Sequence, residues 1–270
     1  MQSIHDRIVM IIIIAMAASL TSFLVAAVLE PHQTRPDFRQ FTLVQDKKQR
    51  FFEYLTPQVV MVNQEILRER AALMCGPGVV PVRESQEDAA QIERLAVKYR
   101  VPGRDEMTSE ERCLALKARI AIIPVDLVLA QAANESAWGT SRFAREQNNY
   151  FGLWCFTEDC GVRPLAAAAG TRHQVAQFET VADGLRYYAL TLNSHPAYES
   201  LRALRAATLG AGSSVTGASV LDGLGSYSER GQDYIDELHQ MIRVNRLDQL
   251  PKVLTLLDSR SLKLGMTVCS

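Results

Sequence analysis

The segment from Pro124 to Ser136 reads PVDLVLAQAANES, an apolar run that closes on a carboxylate. Val125, Val128, Ala132 and Glu135 recur at the three- and four-residue spacings of one helical face. A carboxyl half buried against apolar groups loses hydration when it ionises, so its pKa rises. A carboxyl that keeps its proton near neutral pH can work as a general acid. Spacing alone leaves a second reading open. A glutamate at a helix end can also cap a neighbouring loop or pair with Arg142 or Arg145.

Just downstream, residues 148–154 read NNYFGLW. Sugar rings present apolar C–H faces that stack on aromatic rings, and acetamido groups pair with amides. Asn148, Asn149, Tyr150 and Trp154 are therefore candidate glycan contacts. Phe151 is expected in the core, and Gly152 can permit a tight turn. Cys155 and Cys160 flank the polar turn 156–159. They either staple a hairpin in an oxidising compartment or stand as two separate thiols, and spacing does not decide between these.

These residues need elements to hold them. Residues 46–74 carry a helical period broken at Pro57. Residues 84–99 are amphipathic, with Ala89, Ile92, Leu95, Ala96 and Tyr99 on one stripe. Thr108 and Glu111 have capping-box spacing and start a helix expected to run to Ile123. Pro124 opens the next helix at a favoured first-turn position, and Gly139 stops it. Ser141 can cap a short successor. Further helices are expected at 181–193, 197–208, 217–224 and 230–245. Between 154 and 180 the pattern loosens into a small β-hairpin lobe or a long loop. The fold class expected is mostly α with one irregular insertion.

Composition narrows the classes. The chain has 270 residues and a formal net charge of −1, so no global basic field recruits nucleic acid. No CxxC…CxxC or HExxH pattern is present, which argues against zinc, and no cofactor is expected. Ile8 to Leu29 is 22 residues without a charge. A helix of that length is about 33 Å long, enough to cross a bilayer core. A buried core helix and a cleaved signal are the alternatives. Asp6 and Arg7 precede the stretch, and Glu30, Arg35, Arg39, Lys47 and Lys48 follow it, so charge does not decide the topology. The expected division is a tail at 1–7, a transmembrane anchor at 8–29, a linker at 30–45, accessory helices at 46–105, a catalytic domain at 106–250 and a tail at 251–270.

Glu135-Ser136-Ala137-Trp138-Gly139 followed by NNYFG resembles the glucosaminidase family, glycoside hydrolases that cut bacterial peptidoglycan. The family's hallmarks look like AxxESxWG and then NNxFGxK. This chain has AANESAWG at 132–139, and Trp154 stands where the lysine is usual. Phe178 to Asp183, Asn193 to Tyr198, and Leu224 to Tyr227 with Tyr234 and Leu238 resemble three further family elements. The resemblance covers roughly residues 110–245. It implies a lysozyme-like helical fold with a groove and a small β-lobe, preceded here by the transmembrane helix. It implies hydrolysis of the β-1,4 bond after N-acetylglucosamine. Glu135 takes the general-acid position and Tyr227 that of an active-site tyrosine. Tyr198 lies in an element implied to meet substrate. The implied setting is a bacterial inner membrane, single-pass, with the catalytic domain facing the periplasm or cell wall and glycan strands as partner.

Glycosidases generally place a second carboxylate roughly 5–9 Å from the acid. Family members often carry it in the β-lobe, where this chain has Arg163, Pro164 and alanines. Glu158 is the substitute expected here, with Asp159 beside it and Glu179 less suitable. The alternative is a substrate-assisted reaction. A lytic transglycosylase on the same fold and a non-catalytic glycan-binding scaffold are the competing functions. An amidase lacks a Cys/His or metal constellation.

Overall fold

A computed structural model describes residues 35–73, 75, 86–163 and 173–250. The expected tails at 1–7 and 251–270 and the anchor at 8–29 lie outside the described residues, as do residues 30–34 of the linker. Among the described residues no helix is long and apolar enough to cross a membrane. All elements below belong to the compact unit that begins at Asp37.

Helix α1 spans Val44–Ala71 and runs straight through Pro57. The expected break does not occur. A proline removes one helical hydrogen bond and costs roughly 3 kcal/mol. Here Phe51, Tyr54 and Leu55 on one side of it and Val59, Val62 and Ile66 on the other form a single buried stripe. That burial holds the helix across the defect. Helix α2 (Gln86–Lys98) packs on α3 (Ser109–Arg119). The Thr108 capping box forms as expected: Glu111 N donates to Thr108 Oγ1 at 3.2 Å, and Thr108 N to Glu111 Oε2 at 2.8 Å.

Helix α3 stops at Arg119, four residues before the expected Ile123. Ile120, Ala121, Ile122 and Ile123 are buried but extended, because three are β-branched and the residue before Pro124 is disfavoured in the α region. Asn63 of α1 holds this segment, donating to the Ile123 carbonyl at 2.8 Å and accepting from its N–H at 3.1 Å.

Helix α4 spans Val125–Glu135 and is buried from Val125 to Ala133. It is buried all round rather than on one stripe, because α1 covers one side and α9 (Gln232–Val244) another. Both Asp126 carboxylate oxygens accept from Gly217 N at 2.9 Å, anchoring the short helix α8 (Gly217–Val220) to the start of α4. Helix α5 is Arg142–Gln147, α6 is Val181–Ser194 and α7 is Glu199–Gly210.

The expected hairpin is a three-stranded antiparallel sheet in the order β1-β3-β2, with β1 Trp154–Cys155, β2 Gly161–Val162 and β3 Gln174–Ala176. Val175 lies opposite Trp154 on one side and Val162 on the other. Strand β3 begins 13 residues after Gly161, which pairs with Ala176 and also donates its N–H to Gln174 Oε1 at 2.9 Å. Cys155 and Cys160 are disulfide-bonded across the first turn of this sheet. A second disulfide, Cys75–Cys113, joins the end of α1 to α3 and had no signature in the spacing of the cysteines.

Candidate active site

Glu135 is the last residue of α4, half-buried where the helix opens onto the surface. The chain behind it turns through three consecutive left-handed residues: Ala137 at φ 49°, Trp138 at φ 60° and Gly139 at φ 75°. Left-handed conformations cost roughly 1–2 kcal/mol for residues with a Cβ. Surrounding bonds impose them. Ser136 Oγ donates to the Ala132 carbonyl and accepts from Gly139 N at 2.7 Å, while Trp138 N donates to the Ala133 carbonyl at 2.9 Å. The Trp138 ring wedges against Phe51 and Phe52 of α1, with the Lys48 ammonium 4.9 Å from its centroid. At Gly139 a Cβ would meet the Phe38 ring at 2.4 Å, so only glycine fits. Strain of this kind persists where the surroundings over-determine it, which is common beside functional groups. Ser136, Trp138 and Gly139 are thus the frame that aims Glu135.

Burial pushes the Glu135 carboxyl above the usual carboxylate range, and the nearby Glu237 adds to this. The Tyr234 hydroxyl, donating to Glu135 Oε1 at 2.8 Å, works against it, as do Asn134 and Arg230. Tyr234 in turn accepts from Gln131 Nε2 at 2.9 Å, and Tyr188 donates to Gln131 Oε1. Tyr227 stacks parallel on Tyr234 at 5.7 Å, and Tyr198 lies 6.1 Å beyond it. Tyr198 and Tyr227 are half-buried, so a row of rings leads from solvent to the carboxyl. Burial pushes the phenols of Tyr188, Tyr198, Tyr227 and Tyr234 all upward, keeping them neutral donors.

The other expected residues divide. Tyr227 lies in this row, with its hydroxyl donating to the Phe151 carbonyl at 3.0 Å. Asn149 and Tyr150, expected at the groove surface, are each 1% exposed. Asn149 donates to the Leu153 and Ala176 carbonyls at 2.9 Å and accepts from Leu153 N at 3.0 Å, closing the loop onto β3. The Tyr150 ring packs 6.1 Å from Phe51. Asn148 sits at φ 52° and donates to the Phe178 and Glu179 carbonyls. The amides of this stretch therefore bind backbone, supplying donors to the carbonyls of Leu153, Ala176, Phe178 and Glu179. Phe151 is buried as expected and stacks on Tyr188 at 4.0 Å. Trp154 remains 49% exposed on β1, parallel to His173 at 3.8 Å. Glu158 is exposed in the disulfide-closed turn. The charged residues that act most on Glu135 are Glu237 and Arg230, themselves paired at 2.7 Å.

Gln131, Tyr188 and Glu237 escaped the sequence reading, and Tyr234 was placed there in a family element without a role. Gln131 had one legible signal, an amide one helical turn before Glu135 in a largely apolar helix. Glu237 follows Tyr234 by three residues, so both sit on one face of α9. Among the described residues no cluster of metal-ligating side chains is present.

The profile of a family described as mannosyl-glycoprotein endo-beta-N-acetylglucosaminidase matches residues 111–247. Protein bax of Escherichia coli (strain K12) is 31% identical over 211 residues, which cover 78% of this chain and 74% of that protein. No solved structure matches the chain.

Proposed function

This chain belongs to the glucosaminidase family, and on that footing we propose that it hydrolyses the β-1,4 bond after N-acetylglucosamine in peptidoglycan glycan strands. Glu135 is the general acid. The observation that carries this reading is a carboxyl with a raised pKa at the mouth of a buried helix, beside a row of half-exposed aromatic rings. Glu135 gives its proton to the leaving glycosidic oxygen as the bond to the anomeric carbon breaks and positive charge spreads over the ring. Water then supplies hydroxide to that carbon, and its proton returns to Glu135. Tyr227 and Tyr198 offer faces to the sugar, and Trp154 offers a second contact from the sheet.

The partner to the acid is the substrate's own acetamido oxygen, assisted by Glu158 or Glu237. Glu158 is the residue favoured by position in the β-lobe. Glu237 is the one favoured by its action on Glu135. Glu135→Gln should lose at least about 100-fold in reducing-end release from purified peptidoglycan, the usual contribution of general acid catalysis. Its circular dichroism should match the wild type. Full release by this variant would overturn the reading.

One observation favours a second reading. Glu237 is held by Arg230, and Glu158 stands out in solvent, so among the described residues neither is a free second carboxylate at the side of Glu135. A site with one acid suits a lytic transglycosylase. Mass spectrometry separates the two, since anhydro ends mean transglycosylase and reducing N-acetylglucosamine ends mean hydrolase. Binding of peptidoglycan without turnover at any pH would instead mean a glycan-binding scaffold.

We further propose that residues 8–29 tether the enzyme to the inner membrane, with the catalytic domain on the periplasmic side and residues 46–105 bracing it. Two disulfides suit an oxidising compartment. Alkaline extraction of membranes tests the tether, because an anchored chain stays in the pellet.

A further inference from the structure

Gln131 is 0% exposed, a polar side chain in the middle of the most buried helix of the molecule. A buried amide is stable only with its hydrogen-bonding capacity met. It is met by two tyrosines from two other helices. Tyr188 of α6 donates to Gln131 Oε1, and Gln131 Nε2 donates to Tyr234 Oη at 2.9 Å. Tyr234 of α9 then donates to Glu135 Oε1 at 2.8 Å.

The direction of this chain of bonds matters. A phenol has one proton. The Tyr188 proton goes to Gln131 Oε1, which leaves the Gln131 nitrogen facing Tyr234. With a donor already on its oxygen, Tyr234 has its one proton free for Glu135. From this geometry we infer that Tyr188, Gln131 and Tyr234 form a positioning relay that keeps Glu135 Oε1 a hydrogen-bond acceptor and so confines the acid proton to Oε2. The inference rests on the reading of Glu135 as general acid, and deepens it: the relay determines which carboxyl oxygen delivers the proton and how readily it leaves. All three relay residues are buried.

Other groups also face Glu135. Glu237 of α9 raises its pKa and Arg230 ahead of α9 lowers it, and these two pair with each other. Tyr227 and Tyr188 are held neutral by burial. Tyr234 is a neutral donor in direct contact, and it lowers the pKa more than the neighbouring Asn134 does. Its bond favours the ionised carboxylate, so its loss raises the pKa of the acid.

The test is the pH profile of glycan cleavage together with direct titration of the carboxyl. A general acid is active while protonated, so activity falls on the alkaline side as Glu135 ionises. Tyr234→Phe should move that alkaline limb upward by about one to two pH units, the scale of one hydrogen bond to a charged group. The same shift should appear in the 13C carboxyl resonance of Glu135 in the full-length protein, assigned by its disappearance in Glu135→Gln. The double variant Tyr234→Phe, Gln131→Leu removes the amide that the first change would strand, and should show the same upward shift. A limb and a resonance that stay put or move down in both variants would overturn the relay. Full activity of Glu135→Gln would instead overturn the general-acid reading, while the resonance still judges the relay.

Discussion

Glu135 holds its position at a thermodynamic cost to the fold. Its pKa in the folded chain lies above the ordinary value because burial penalises the charge. A group whose folded pKa is raised contributes stability that is fully present below its unfolded pKa, about 4.3. That contribution is lost as pH rises through the folded pKa. Glu135→Gln carries no such titration and still offers Tyr234 an acceptor. The variant should therefore match the wild type in thermal stability near pH 4 and exceed it near pH 8. An equal melting temperature at both pH values would mean that Glu135 ionises without strain. The same desolvation that weakens the fold is what keeps a proton available for the leaving oxygen.

Among the elements, α1 and α6 are joined at the surface by Arg186. Its guanidinium donates to both Glu65 oxygens at 2.7 Å and to Asp183 at 2.8 Å. The bond to Arg186 holds the Glu65 carboxyl below the usual range. A lowered pKa contributes stability above the unfolded value and loses it as pH falls through the folded one. The groups are partly exposed, so the contribution is discounted to about 1 kcal/mol at most. Arg186→Met should lower urea-denaturation stability by that amount at pH 7, and the difference from wild type should shrink as pH falls below the ordinary carboxylate range of about 4. This clamp matters to the site because α1 also carries the rings against which Trp138 wedges, and α6 carries Tyr188.

For the molecule as a whole, the two disulfides do different jobs. Cys75–Cys113 closes a separation of 38 residues, Cys155–Cys160 one of 5. Restricting the unfolded chain stabilises by roughly 4 kcal/mol for the long loop and about 2 kcal/mol for the short one. Replacing Cys75 and Cys113 by serine should thus depress stability more than replacing Cys155 and Cys160. Denaturant titrations of the two double variants measure this. Equal losses would show that the long loop is already restrained in the unfolded state.

By itself the sequence determined what depends on neighbours three and four residues apart. The helices, the Thr108 capping box and the placement of Glu135 at the end of an apolar run are all local matters, fixed by the 3.6-residue period and by backbone groups that must be satisfied. Even there, Ile120 to Ile123 read as helix because burial and helical propensity look alike in a short apolar run. Tertiary structure decided the rest. It gave Asn148 and Asn149 to backbone carbonyls and Tyr150 to the core, and it set Glu237 where its charge raises the Glu135 pKa. It also brought Tyr188 and Tyr234 onto Gln131 across 57 and 103 residues of chain. No period reports such partners, because they depend on how α4, α6 and α9 cross, and that is set by the packing of whole helix surfaces.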